Sequence, residues 1–367
     1  MDTAAILFFL IGLGLLIAGA EALVRGASRL ATFMGVSHLV IGLTVVSFGT
    51  SAPETAVSVL SALSGKADIA VGNVVGSNIL NVLLILGLSA AIAPLFVSRQ
   101  LIRLDVPIMI GVSFLTLVFG ADGRIRPGEG FILFGGILAY TAFSIRKSRK
   151  EDNGAQEGEI DQKPGREQQP GRYWLVNITL ILGGLASLVL GSRWLVKGAT
   201  EIATSLGVSE LVIGLTIVAA GTSLPEVATS LVAAIRGERD IAVGNAIGSN
   251  IFNILAALGL TGIIAPGGIV VSSQALRFDI PVMIAVAVAC LPIFFSGYII
   301  SRWEGFLFLA YYVAYTAFLI LKSTHHETLP IFSKVMVAFV IPITVVTLVT
   351  TTIRFIRSGR HKRGKGG

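Results

Sequence analysis

Two acidic residues, Glu54 and Glu226, stand inside apolar stretches, and each closes the same short word, "GTSAPE" at 49–54 and "GTSLPE" at 221–226. A carboxylate in such a setting is costly and marks a functional position by default. Helical spacing puts Thr50 and Glu54 on one face, four residues apart, and does the same for Thr222 and Glu226. In a second pair of words, "GNVVGSNILN" and "GNAIGSNIFN", Asn73, Ser77 and Asn81 stack at four-residue steps, matched by Asn245, Ser249 and Asn253. The candidate ligands are all oxygens: two carboxylates, the hydroxyls of Thr50, Ser51, Ser77, Thr222, Ser223 and Ser249, and the amide oxygens of Asn81 and Asn253. These words contain no histidine or thiolate, which disfavours zinc, copper and iron. Oxygens carrying two negative charges suit calcium, which takes ~6 to 8 such ligands, and sodium can use subsets of them.

Pro53 and Pro225 remove a backbone donor, so as mid-helix residues they are expected to free carbonyls around Ser47 to Thr50 and Ala219 to Thr222 as further ligands, Ser47 and Ala219 among them. Irregular backbone at membrane depth is tolerated only where it faces protein or a water-filled cavity. The expected arrangement is four helices around one shared site near the membrane midplane. Two ionised glutamates close together repel. A site relieved by a divalent ion, by several monovalent ions or by protons changes sides readily only when filled, which is exchange rather than leak.

The elements that position these residues follow from composition. The chain has 367 residues, 54% hydrophobic and 13% charged, with a mean hydropathy of +0.84. These values indicate an all-α polytopic membrane protein, because apolar runs of ~20 residues recur along the chain instead of the short alternating segments of a barrel. Spans are expected near 5–32, 37–62, 68–93, 101–120, 129–146, 174–205, 209–235, 240–265, 275–297, 302–321 and 331–353. The one cysteine, Cys290, lies in an apolar run and excludes an internal disulfide. Asp2 but no basic residue precedes the first apolar run, so the first helix is expected to remain in the mature chain. With the N-terminus outside and the C-terminus inside, most of the 28 Lys and Arg fall on the inner side, as the positive-inside rule requires. The basic tail "RFIRSGRHKRGKGG" explains the net charge of +7 and reads as an anchor on anionic lipid, not as a nucleic-acid site.

The chain is internally duplicated. "GLTVVSFGTSAPE" and "GLTIVAAGTSLPE" agree at nine of thirteen positions, and "ADIAVGNVVGSNILN" and "RDIAVGNAIGSNIFN" at eleven of fifteen. "LDVPIMI" and "FDIPVMI" continue the match. The division is a first five-helix unit at 1–146, a cytoplasmic linker at 147–173, a second unit at 174–322, and an added transmembrane helix with a basic tail at 323–367. Because five is odd, the second copy enters from the opposite side, giving a ten-helix inverted-topology repeat plus one C-terminal helix. Such symmetry suits alternating access, and it also suits duplicated channels. Among the remaining polar groups, Glu21 and Arg25 are expected to form a local ion pair, and Asp68 and Asp240 to cap helices. Asp105 and Asp279 are expected to cap or orient helices at span entrances, and His325 and His326 to be solvated.

The paired words "GTSAPE" with "GNVVGSNILN" and "GTSLPE" with "GNAIGSNIFN" resemble the two α-repeats of the calcium/cation antiporter superfamily, in its prokaryotic sodium/calcium exchanger branch. The resemblance runs to about residue 322. It implies sodium-driven calcium transport in the prokaryotic cytoplasmic membrane, with Glu54, Glu226, Thr50, Ser51, Ser77, Asn81, Thr222, Ser223 and Ser249 as ligands, joined by carbonyls near Ser47 and Ala219. It implies no cofactor; calcium and sodium are cargo, with membrane lipid around the protein. Asn253 departs from an aspartate found in an archaeal relative, which leaves two formal negative charges in the mapped site. A proton-coupled exchanger is the nearest alternative, and a cation channel a second. An enzyme is disfavoured, since "GTSAP" lacks the G-x-S-x-G elbow and no histidine base lies in either word. Oligomeric state is not legible in the sequence.

Overall fold

The computed structural model describes residues 3–155, 170–208, 210–295, 297–342 and 345–346. Most of the expected linker, the far end of the eleventh span and the basic tail lie outside the described residues, as does the side chain of Asp68. The described chain is almost wholly helical, in chain order α1 (Thr3–Met34), α2 (His38–Thr50), α3 (Ala52–Leu63), α4 (Ile69–Ile92), α5 (Leu101–Gly120), α6 (Pro127–Ala155) and α7 (Pro170–Ser205). It continues with α8 (210–221), α9 (Leu224–Ile235), α10 (Arg239–Ile264), α11 (Ala275–Phe295), α12 (Arg302–Ser323) and α13, which starts at Leu329. Among the described residues, eight of these helices are long and apolar enough to span a membrane, and α2 with α3, bent by 42°, makes a ninth.

Burial separates a centre from a periphery. In the most apolar stretches of α4 and α10, 72% and 83% of residues are buried, against 28% and 33% in α1 and α7. The outer faces carry Leu7, Leu10, Phe131, Leu138, Leu182 and Phe306, all more than half exposed, as expected of side chains that meet hydrocarbon. α1 and α7 pack antiparallel along glycines seven residues apart. A β-carbon on Gly19 would lie 2.8 Å from the Gly184 carbonyl, and one on Gly191 would lie 2.8 Å from that of Gly12. Small residues let backbones approach this closely, which is how helices associate where no hydrophobic gain is available. Two short antiparallel ribbons join loops of the two units, Leu95 opposite Ile300 and Arg124 opposite Val270.

Four expectations are corrected or extended. Pro53 and Pro225 are not mid-helix: the chain breaks at Ser51 and at Thr222–Ser223, and each proline sits in the first turn of a new helix, where the missing N–H has no partner to lose. Asp240 is not a cap; Glu238 holds that position without a side-chain cap bond, and Asp240 lies in the first turn of α10, where the helix dipole still favours it. Asp105 is fully buried and orients rather than caps, accepting from Tyr140 Oη at 3.0 Å and Gln100 Nε2 at 3.4 Å. Glu21 pairs with Arg25 as expected and also with Arg236, 2.6 Å away at the end of α9.

Candidate ion-binding site

The breaks decide where the carboxylates point. Glu54 and Glu226 fall in the first turns of α3 and α9, where unpaired backbone N–H groups favour negative charge. Both side chains are fully buried. The asparagines of the second words hold these turns in place. Asn73 Nδ2 donates to the Glu54 carbonyl and to Ser58 Oγ, each at 3.1 Å. Asn245 Nδ2 donates to the Glu226 carbonyl at 3.3 Å and to Ser230 Oγ at 2.9 Å.

The hydroxyls pair crosswise between the two units. Ser51 Oγ donates to Glu226 Oε1 at 3.0 Å, and Ser223 Oγ lies 2.8 Å from Glu54 Oε1 and 3.1 Å from Ser77 Oγ. Thr50 Oγ1 donates to Asn245 Oδ1 at 3.0 Å. Asn81 and Asn253 open matching π-helical turns, 81–86 and 253–258, a local widening frequent at functional sites. The structure therefore brings together Glu54, Ser77 and Ser223 on one side and Glu226, Ser51 and Thr50 on the other. Spacing alone had grouped Thr50 with Glu54.

After these bonds are made, twelve buried side-chain oxygens among the described residues have no hydrogen-bond partner, and six of them belong to the repeated words: Glu54 Oε2, Glu226 Oε2, Asn81 Oδ1, Asn253 Oδ1, Thr222 Oγ1 and Ser249 Oγ. An unsatisfied buried polar atom costs roughly 1–3 kcal/mol, so this donor set fits a hard cation that takes only oxygen. Among the described residues no cluster of three or more His, Cys, Asp or Glu could hold a metal, which is consistent with a site built mainly from neutral oxygens around two acids.

The backbone carbonyls are less available than expected. That of Ser47 already accepts from Ser51 N at 2.9 Å, and that of Gly221 from Ser192 Oγ at 2.5 Å. The Ser47 hydroxyl turns to Gly42 O at 2.6 Å and Asn245 O at 3.2 Å, and Ala219 is exposed. Ser58, Ser230 and Ser192 escaped the sequence reading. Asn78 and Asn250 also did, although both stand inside the repeated "GSN".

The sequence model of the sodium/calcium exchanger protein family matches residues 4–146 and 176–321, which takes in both copies of the words that build the site. The chain belongs to this family. This exchanger-family member is 41% identical over 317 residues to the putative antiporter CaxA of Alkalimonas amylolytica, covering 85% of this chain and 97% of the relative. It is 34% identical over 346 residues to the sodium/calcium exchanger MaX1 of Methanosarcina acetivorans, covering 86% and 98%. Its fold matches the solved sodium-calcium exchanger NCX_Mj, soaked with 2.5 mM Na+ and 0.1 mM Ca2+, with a TM-score of 0.73 at 32% identity over 86% of this chain and 99% of that one. Family membership makes the chain a membrane transport protein of the cation antiporter type.

Proposed function

We propose that the chain is a secondary active antiporter that exchanges calcium for sodium across the prokaryotic cytoplasmic membrane by alternating access. On this reading 1–146 and 174–322 are inverted five-helix units, the N-terminus is outside and the C-terminus inside, and the residue 323–367 segment adds an eleventh span. The observation that carries the reading is the set of six unpartnered buried oxygens that fall within the repeated words, two of them on carboxylates held by crosswise bonds between the units. Two fixed negative charges match one calcium ion, or sodium ions that replace it. With neither bound, mutual repulsion of Glu54 and Glu226 disfavours closing the site, so return without cargo is slow and the two ion fluxes are coupled. Such a site changes sides by repacking α2 and α8 against the central helices, with the carboxylates staying near the midplane.

The test is calcium-45 uptake into proteoliposomes loaded with sodium, with choline, or with an imposed pH gradient. Uptake is expected to need the outward sodium gradient and to fall at least ~100-fold in Glu54→Gln and in Glu226→Gln, since each removes half of the fixed charge. Uptake driven by the pH gradient alone reassigns the protein to proton coupling, and wild-type uptake in both variants removes the carboxylates from the mechanism.

A further inference from the structure

Asn81 and Asn253 can serve a cation only if their amide oxygens face it, because a rotated amide presents two N–H donors instead. Both side chains are buried, at 1% and 0% exposure, so water does not choose the orientation. Their neighbours do. Asn78 Nδ2 lies 3.2 Å from the backbone carbonyl of Asn250 and 3.6 Å from Met283 Sδ. Neither atom can donate, so the Asn78 atom between them is the nitrogen. The Asn78 oxygen is thereby turned toward Asn253, whose Nδ2 donates to it at 3.1 Å. That leaves Asn253 Oδ1 without a partner.

The second pair follows the same logic. Asn250 Nδ2 points at Met109 Sδ, 3.3 Å away, and its oxygen receives Asn81 Nδ2 at 3.0 Å. Asn81 Oδ1 is then the atom left free of hydrogen bonds. Met109 and Met283 are matching residues of "LDVPIMI" and "FDIPVMI". A thioether is a weak acceptor and carries no donor, so the Met109 sulfur sets the polarity of the Asn250–Asn81 pair, while the Met283 sulfur reinforces what the Asn250 carbonyl sets for Asn78–Asn253.

We propose that Asn78 and Asn250 are positioning residues for calcium: each grips the amide nitrogen of an asparagine in the other unit and so presents the oxygens of Asn253 and Asn81 to the ion, with Met109 fixing the direction of Asn250 and the Asn250 carbonyl, seconded by Met283, fixing that of Asn78. The inference rests on the calcium-binding part of the proposed function and not on what calcium is exchanged for. Because each pair joins α4 to α10, the same bonds tie the two units together at the site.

Equilibrium binding of calcium-45 to the purified full chain tests it without any gradient. Asn250→Ala and Asn81→Ala are each expected to weaken calcium binding about tenfold, as for one misplaced neutral ligand. Because Asn250 acts through Asn81, the double variant binds no more weakly than Asn81→Ala alone. Met109→Leu keeps the volume and removes the acceptor, and is expected to weaken binding about threefold in the wild-type background and not at all in Asn81→Ala. It carries the test if Asn250→Ala does not fold. Losses that multiply in the double variant, or unchanged binding in both Asn250→Ala and Met109→Leu, overturn the proposal. Calcium binding that follows this pattern in a protein driven by a pH gradient retains the positioning role and rejects sodium coupling; a wild-type chain that binds no calcium removes both.

Discussion

The helices α2 and α8 carry nearly the same words and are packed quite differently. α2 lies hard against α10: a β-carbon on Gly42 would sit 3.0 Å from Ile241 Cα, one on Gly244 would sit 2.8 Å from the Leu39 carbonyl, and one on Gly248 would sit 2.7 Å from that of Leu43. The matching glycines of the other pair, Gly214 on α8 and Gly72 and Gly76 on α4, have nothing within 4 Å of such a carbon. Leu43 and Val46 are fully buried, whereas Val218 is 51% exposed. Ser47 adds a hydroxyl tie to the backbone of α10, and its counterpart is Ala219, which has no hydroxyl. One end of the duplicated core is therefore closed and the other open, from residues that are largely the same. The glycines at the open end make sense if that end closes in another state.

The largest expected effect breaks the closed end. In Gly248→Ala the new methyl has no room beside Leu43 and Ser47, an overpacking cost of ~1–3 kcal/mol or more. Labelling of a reporter Leu43→Cys in a Cys290→Ala background should rise at least about tenfold, and continued protection would show that the contact is not limiting. The next effect asks whether the open end ever closes. Gly72→Ala with Gly76→Ala meets no atom in the present packing, and alanine is the better helix former by ~1 kcal/mol per site, so the melting temperature should hold or rise. Sodium-driven uptake should nevertheless slow about tenfold if α8 must pack onto α4 as α2 packs onto α10. Wild-type turnover in that variant would break the symmetry between the ends. The smallest effect concerns one of their differences: Ser47→Ala gives α2 the alanine that α8 carries at the matching position and should cost about 1 kcal/mol, read as a modest rise in Leu43→Cys labelling. No change would mean that the hydroxyl does not decide which end is closed.

Much of the candidate site was legible because it is written twice. The words holding Glu54 and Glu226, and the four-residue steps through Asn81 and Asn253, stand out against an apolar background, and the residue types alone pointed to an oxygen-liganded cation. The breaks at Ser51 and at Thr222–Ser223 were misread. A Ser or Thr followed closely by Pro is a helix-start signal, but the hydrophobic run continues through it and suggested one continuous span with the proline inside. The seven-residue glycine spacing of α1 and α7 was on the page and meaningful only once the two helices were seen face to face. Arg236 was not expected at Glu21, since 215 residues separate them and no local periodicity links positions so far apart.

The sequence by itself determined which groups are available, in duplicate, and, within each unbroken helix such as α4 and α10, which face each occupies, because that information is local: a side chain's face follows from spacing of three or four residues. Only the tertiary structure decided that Ser51 meets Glu226 and Ser223 meets Glu54, that Asn78 and Asn250 aim the amides of the opposite unit, and that α2 rather than α8 is packed against the centre. Those outcomes depend on contacts between residues some 170 positions apart and on small energy differences between alternative packings of near-identical words. Local periodicity carries no record of either.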